Sequence, residues 1–318
     1  MSLFHRYNIN SDILVLTAIL IIAPFFFQND FYYELAIVSL LNALVCIGLN
    51  MFMGYAGQVS LGHGAFAGLG GYISVILSSN YAMSPLFSIF VSVVTMSLLA
   101  FIISKPILRL KGHYLAMATL GVGIIISIVL NAEEELTGGS DGMSVDNFSL
   151  FGYEFTDSLQ WYILSALLLI VTIWMFTNLI DSPFGRVLKS IQGSEKAANS
   201  VGINVSHYKS IVFVISVVIA TIAGSLYAFF SGFISPAEAS FSHSIELVVM
   251  VVLGGLGRIY GAIIGAVILT LLPQLLTSFE DYQTLIYGAI IIFVMIFMPN
   301  GIASLYSDIK GRVFASNK

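Results

Sequence analysis

Few residues in this chain could do chemistry, and their spacing rules out most of what they might do. There are 318 residues, among them five histidines, one cysteine and seventeen carboxylates. The histidines, at 5, 63, 113, 207 and 243, are scattered, and neither they nor Cys46 fall at metal-ligand spacing. A phosphate-cradling loop of the Walker type needs a Gly-Lys dipeptide, and the sequence has none. Ser182, Ser190 and Ser194 have no candidate base near them in sequence, and no Gly-x-Ser-x-Gly elbow occurs. No catalytic group and no bound cofactor is therefore expected on this chain. Cys46 can form no internal disulfide and says nothing about redox compartment.

What remains is polar chemistry inside apolar segments. Composition explains why: 58% of the residues are hydrophobic and 9% are charged, whereas a soluble domain is roughly a quarter charged. Such a chain suits lipid as its solvent. A helix needs about 20 mostly apolar residues to cross a bilayer. Stretches at or near that length run over 13–27, 35–53, 59–78, 86–103, 114–130, 159–180, 211–234 and 284–298. A further stretch, 244–272, is too long for one span and is interrupted by Gly254-Gly255-Leu256-Gly257-Arg258, so it reads as two spans, about 244–256 and 259–275. The first of these is short and could be a half-helix that stops inside the bundle. The expected fold is an all-α polytopic transmembrane bundle of about ten spans, or eight plus re-entrant pieces. The run at 13–27 lacks a small-residue cleavage site and reads as a retained span.

All twelve Lys and Arg lie at Arg6, in 105–111, in 186–209, at Arg258 and in 310–318. With ten spans and the N-terminus inside, every one falls on the cytoplasmic side, as do both termini, and the other loops hold only acids. Residues 131–158 form an acidic external loop. Residues 181–209 form a mixed-charge internal loop that opens on Asp181-Ser182-Pro183, a helix-start signal. A short amphipathic helix carrying Val187, Leu188 and Ile191 should follow, then a turn near Gly193 and a second helical turn ending near Gly202.

The polar residues within spans that could meet a solute are Asn42, Asn50, Gln58, Ser60, His63, Ser74, Thr119, Ser127 and Glu246. In lipid they must find partners, and most will bond to neighbouring helices. Glu246 is expected near the external mouth, because a carboxylate deep in the membrane is costly. With no chain of buried carboxylates, a proton- or sodium-coupled carrier is disfavoured. Small residues recur four apart at Ser60/Gly64/Gly68, at Ala220/Gly224/Ala228 and at Gly257/Gly261/Gly265. Such rows let helices approach closely, and the Gly254-Gly255 break could also flex.

Specific motifs add a resemblance. The run Gly54-Tyr55-Ala56-Gly57-Gln58-Val59-Ser60-Leu61-Gly62-His63-Gly64-Ala65-Phe66 resembles the signature of permease subunits of branched-chain amino acid ABC importers. Leu110-Lys111-Gly112-His113-Tyr114-Leu115-Ala116-Met117-Ala118-Thr119-Leu120 resembles a segment of their M-type subunit. Thr137-Gly138-Gly139-Ser140-Asp141-Gly142-Met143 is similar to its external loop, and Val252-Leu253-Gly254-Gly255-Leu256-Gly257 with Tyr260-Gly261 and Gly265-Ala266 to a late span. The blocks stand in the family's order over residues 40 to 300. The resemblance implies one permease domain over 1–318, with 184–203 as the segment that docks an ATPase. Gly185, Arg186, Glu195, Lys196, Ala197, Ala198 and Gly202 match the family's docking loop, although Lys196 stands where the general pattern has an acid. It further implies a second, similar permease subunit, two ATPase subunits that hold the ATP, an external solute-binding protein and a bacterial cytoplasmic membrane. The expected solute is leucine, isoleucine or valine, carried by alternating access; urea, short amides or aromatic acids are the alternative within the superfamily.

Overall fold

The computed structural model describes residues 2–276 except 111, 151 and 152, with side chains from residue 12 onward except that of Leu150, and a few single positions beyond 276. The expected last span, 284–298, lies outside the described residues apart from scattered helical positions, and the basic tail 310–318 lies wholly outside them. The helices are α1 (Ser2–Ile22), α2 (Asp30–Asn50), α3 (His63–Ser79), α4 (Pro85–Ile107), α5 (His113–Ala132), α6 (Glu134–Thr137), α7 (Ser158–Asp181), α8 (Pro183–Gly193), α9 (Glu195–Ser200), α10 (Val205–Ser231), α11 (Phe241–Gly254) and α12 (Ile259–Leu275). Short strands β1 (Met143–Ser144), β2 (Ser149–Leu150), β3 (Tyr153–Glu154) and β4 (Phe233–Ile234) form two small antiparallel pairs, β1 with β4 and β2 with β3.

Among the described residues, five helices are long and apolar enough to cross a membrane: α2 with its π-helical extension to Tyr55, α4, α5, α7 and α10. Local chemistry sets many boundaries. Pro85 and Pro183 sit in the first turns of α4 and α8, where the missing N–H costs nothing. Gly232 ends α10 with a left-handed φ of 66°. The apolar 244–272 stretch is divided as its glycines suggest, with α11 of 14 residues and α12 of 17.

The 27 residues of α10 rise about 40 Å, which gives the molecule two ends. At one lie α8 and α9; at the other, β4 joins β1 and so ties the 131–158 loop to the segment after α10. Two chain segments turn back between these ends. Residues 56–62 are non-helical, so α3 starts only at His63, later than hydropathy alone implies, with His63 Nε2 2.9 Å from Ser216 Oγ in the middle of α10. Residues 232–240 return similarly and start α11 beside α3: a Cβ on Gly64 would stand 2.7 Å from Ser244 Oγ. The N-termini of two half-length helices therefore meet inside the bundle. Irregular backbone at that depth is tolerated when protein groups satisfy it.

Close packing surrounds this junction. A Cβ on Gly224 would strike the Ala67 carbonyl, and one on Gly71 would stand 2.9 Å from the Gly224 oxygen. Ser92 and Ser225 both donate to the Gly70 carbonyl, at 2.7 and 3.1 Å, pinning α4 and α10 to α3. On α12, Gly261 and Gly265 face the backbone of α11 at Gly254 and Met250. Gly257 and Ser60 lie before their helices begin, so neither extends its small-residue row as a helical face.

Candidate functional site

The segment 54–62, the loop 56–62 with the last two residues of the π-helical turn before it and called the 54–62 loop below, is where the separate motifs meet. Asn50 is 1% exposed; its Oδ1 accepts from Gly257 N at 2.9 Å and its Nδ2 donates to Arg258 O at 2.8 Å. One side chain thus satisfies backbone groups freed by the break between α11 and α12. Gly54 lies against Gly257 too closely for any Cβ. Gly57 turns the chain with φ 67°, which favours glycine. Leu61 N donates to Thr119 Oγ1 at 3.0 Å, which joins the loop to α5. Ser60 Oγ lies 2.9 Å from His63 Nδ1. Because the Ser216 hydroxyl donates to Phe213 O at 2.8 Å, His63 Nε2 is left as the donor to Ser216, and Nδ1 accepts from Ser60. The ring is packed by Phe52, Phe66 and Phe213. His63 is thus a fully paired, buried joint.

Gln58 reaches the opposite way. Its Nε2 donates to Glu195 Oε1 at 3.2 Å, and the same oxygen accepts from Lys209 Nζ at 2.5 Å. Lys209 is 2% exposed, so this carboxylate is the partner of a buried cation. The α8–α9 element around it is built from its own sequence. Ser182 caps α8 through Phe184 N at 3.2 Å, and Ser194 caps α9 through Ala197 N at 3.3 Å. Ile191, Ala198 and Val205 form a small core, flanked by Val187, Ile203 and Tyr208. Gly202 ends the element with φ 85°. Of the docking residues expected from sequence, Gly185 and Ala198 are buried. Gly185 lies against the Ile180 backbone, and Glu195 points inward to Gln58 and Lys209. Arg186, Lys196, Ala197 and Gly202 are exposed, as is Val201 at 76%.

A cavity of about 300 Å³ opens on the other side of the half-helix junction. Its apolar wall includes Val38, Leu41 and Val45 of α2, and Leu269 of α12; Asn42 of α2 and Thr270 of α12, also in the lining, are joined by a 3.1 Å hydrogen bond. Its polar part holds Tyr227, Glu238, His243 and Glu246. Burial raises the pKa of Glu238, which lies between α10 and α11, above the ordinary carboxyl value. His243 Nδ1 is 3.8 Å from Glu246 Oε2, too far for a hydrogen bond.

The solute-facing candidates from sequence therefore divide. Asn42 and Glu246 line the cavity, whereas Asn50, Gln58, Ser60, His63 and Thr119 hold the 54–62 loop together. Ser74 bonds its own helix at Gly71 O, and Ser127 accepts no new role beyond offering its carbonyl to Asn131. Sequence reasoning missed Tyr227, Glu238, Thr270 and Lys209. Lys209 stood in a basic segment that looked solvent-facing, and Glu238 is a single acid after a span, with no pattern to mark it.

The chain is similar to known proteins along most of its length. It is 30% identical to the high-affinity branched-chain amino acid transport system permease protein LivM of Salmonella typhimurium, over 91% of this chain and 74% of that protein. The LivM of Escherichia coli is 29% identical over the same shares. The LivH permease of Salmonella typhimurium is 28% identical over 82% of this chain and 90% of its own length. No solved structure matches. Residues 31–296 match the family described as branched-chain amino acid transport system / permease component, and the chain belongs to that family.

Proposed function

We propose that this chain is the M-type permease half of an ABC importer for leucine, isoleucine and valine. It makes ten crossings with both termini in the cytoplasm of a bacterial inner membrane. A similar, H-type permease completes the path, two ATPase subunits hold the ATP, and an external solute-binding protein delivers the solute. This chain binds no cofactor of its own. The observation that carries the reading is the α8–α9 element. It is a folded pair of short helices with its own core, presenting Arg186, Lys196, Ala197, Val201 and Gly202 outward while Glu195 holds Gln58 of the 54–62 loop.

An exposed amphipathic element of this kind suits helix-in-groove docking to another protein. Movement of α9 reaches the loop through Gln58, and the loop carries α3, whose Ala67 and Gly68 line the cavity. Closure of the ATPases thus becomes rearrangement of the half-helix junction, in keeping with alternating access by rigid-body motion. The cavity supports an amino acid over an aromatic acid, because its charged groups are carboxylates. The test is uptake into proteoliposomes holding both permeases and both ATPases, with binding protein outside. Leucine should accumulate only with ATP inside; accumulation driven by an ion gradient without ATP would replace this reading with a secondary carrier.

A further inference from the structure

We infer that the cavity beside the half-helix junction is where this chain itself holds the solute, taking an ammonium group between Glu238 and Glu246 and an aliphatic body against Val38, Leu41, Val45 and Leu269. The inference rests on reading the chain as an importer half and adds to it a place, an orientation and a filter. In that account the permease is not a passive path behind a selective binding protein; it reads one end of the solute.

The cavity's chemistry is one-sided. Among the described residues that line it there are two carboxylates and one histidine, and no Lys or Arg. A carboxylate only accepts hydrogen bonds, and an ammonium offers three donors and nothing else, so the two are complementary. Among the described residues neither glutamate makes a close ion pair, although the Tyr227 hydroxyl hydrogen-bonds to Glu238. His243 stands 3.8 Å from Glu246, and the His243 backbone N–H is occupied by Ser240 Oγ at 3.2 Å. Glu238 has lost solvent to burial, so a docking cation would return what burial removed. The rest of the lining is mostly aliphatic, and a cavity of about 300 Å³ is at the small end of the range that encloses small ligands. A branched side chain finds van der Waals partners there, whereas a free carboxylic acid with no amine meets like charge.

The cavity also lies where a moving part can act on it. Ala67 and Gly68 of α3 and His243 and Glu246 of α11 form its edge, and those two helices start at the junction that the 54–62 loop supports. Displacing either half-helix alters the ammonium end of the cavity and leaves the aliphatic wall in place. Release of the solute then needs no change in the wall itself.

The experiment uses membrane vesicles containing the complete transporter, with Cys46→Ala and Thr270→Cys in this chain, and follows alkylation of Cys at 270 by a charged thiol reagent. Val38→Cys is a second reporter should the first fail to assemble. Three probes are compared: leucine, 3-methylbutylamine, which keeps the amine and lacks the carboxylate, and 4-methylpentanoate, which keeps the carboxylate and lacks the amine. Leucine and the amine should slow labelling, and the acid should require a concentration about tenfold higher or more. In Glu238→Gln and Glu246→Gln backgrounds the advantage of the amine should vanish. Equal protection by the acid, or an unchanged amine preference in both Gln variants, overturns the inference. So does blocking of the reporter by assembly with the partner permease with no effect of any probe. ATP-driven leucine uptake by wild-type vesicles separates the two claims: uptake without amine-selective protection sinks the inference alone, and absence of uptake with every partner present removes the importer reading and the inference with it.

Discussion

Replacing Glu195 by Ala strands Lys209. That ammonium is 2% exposed, and it pairs with the Glu195 oxygen 2.5 Å away. Breaking a buried pair by removing one member costs about 3–5 kcal/mol. Glu195 is 28% exposed, so water can enter the vacated space and the cost falls to about 2–3 kcal/mol, at or just below that range. The loss should appear as easier local opening of α9 and of the first turn of α10. Amide exchange there should quicken by about 30- to 150-fold, since 1.4 kcal/mol is a factor of ten. Hydrogen exchange by mass spectrometry in nanodiscs measures this directly. The double variant Glu195→Leu with Lys209→Met should recover most of the protection, because a buried pair replaced by apolar groups of similar volume is close to neutral. Exchange in Glu195→Ala within about twofold of wild type, or a double variant as labile as the single, would refute the pairing as a stabilising contact.

Four further outcomes follow from the same geometry. Asn50→Ala leaves Gly257 N and Arg258 O without their side-chain partner, which should cost about 1–3 kcal/mol per stranded group and lower the thermal midpoint of the purified complex. Gly224→Val drives side-chain atoms into the Ala67 backbone and should sharply reduce folded yield by size-exclusion profile. Gly202→Ala meets no atom within 4 Å but must hold φ 85°, a strain of about 1–2 kcal/mol, while Gly193→Ala, with equal space and no positive φ, should be neutral or stabilising in a melting assay. Burial lifts the Glu238 carboxyl above its ordinary 4.5, so the folded protein holds that proton more tightly than the unfolded chain does. The associated stability is complete below about pH 4.5 and is lost as pH rises through the lifted value; Glu238→Gln should flatten that part of the thermal midpoint against pH curve.

The helices were legible because lipid demands long apolar runs. The spans expected at 86–103, 114–130 and 159–180 are α4, α5 and α7, with ends shifted by a few residues. The division of 244–272 was legible because three closely spaced glycines, Gly254, Gly255 and Gly257, weaken a helix where they fall together. The start of α3 was not, because Val59 to Ser78 is apolar enough on average to read as one span, and only the backbone of 56–62 reveals that the chain enters the bundle as a loop. Function-bearing contacts were hidden for a similar reason. Gln58 and Glu195 are 137 positions apart, and Glu238 and Asn42 share a cavity only because two half-helices turn back. Lys209 looked like one more positive charge on the inside face, yet burial turned it into the anchor of Glu195. The departure at Lys196, where the docking pattern has an acid, has a physical counterpart here: Lys196 is exposed, and the neighbouring Glu195 is committed inward.

The most direct test of the central claim, that α8–α9 is the ATPase-docking element of an importer half, is co-purification. The chain is expressed with a second permease and candidate ATPase subunits, and ATPase recovery is compared between wild type and a variant carrying Ala197→Arg and Val201→Asp. Both positions are exposed, so the bundle and the small core at Ile191, Ala198 and Val205 should be unaffected. The expected result is ATPase recovered with wild type and lost with the variant, at unchanged yield of the two permeases. Equal ATPase recovery with both chains would contradict the assignment of that surface, and no ATPase with either would contradict the importer reading itself.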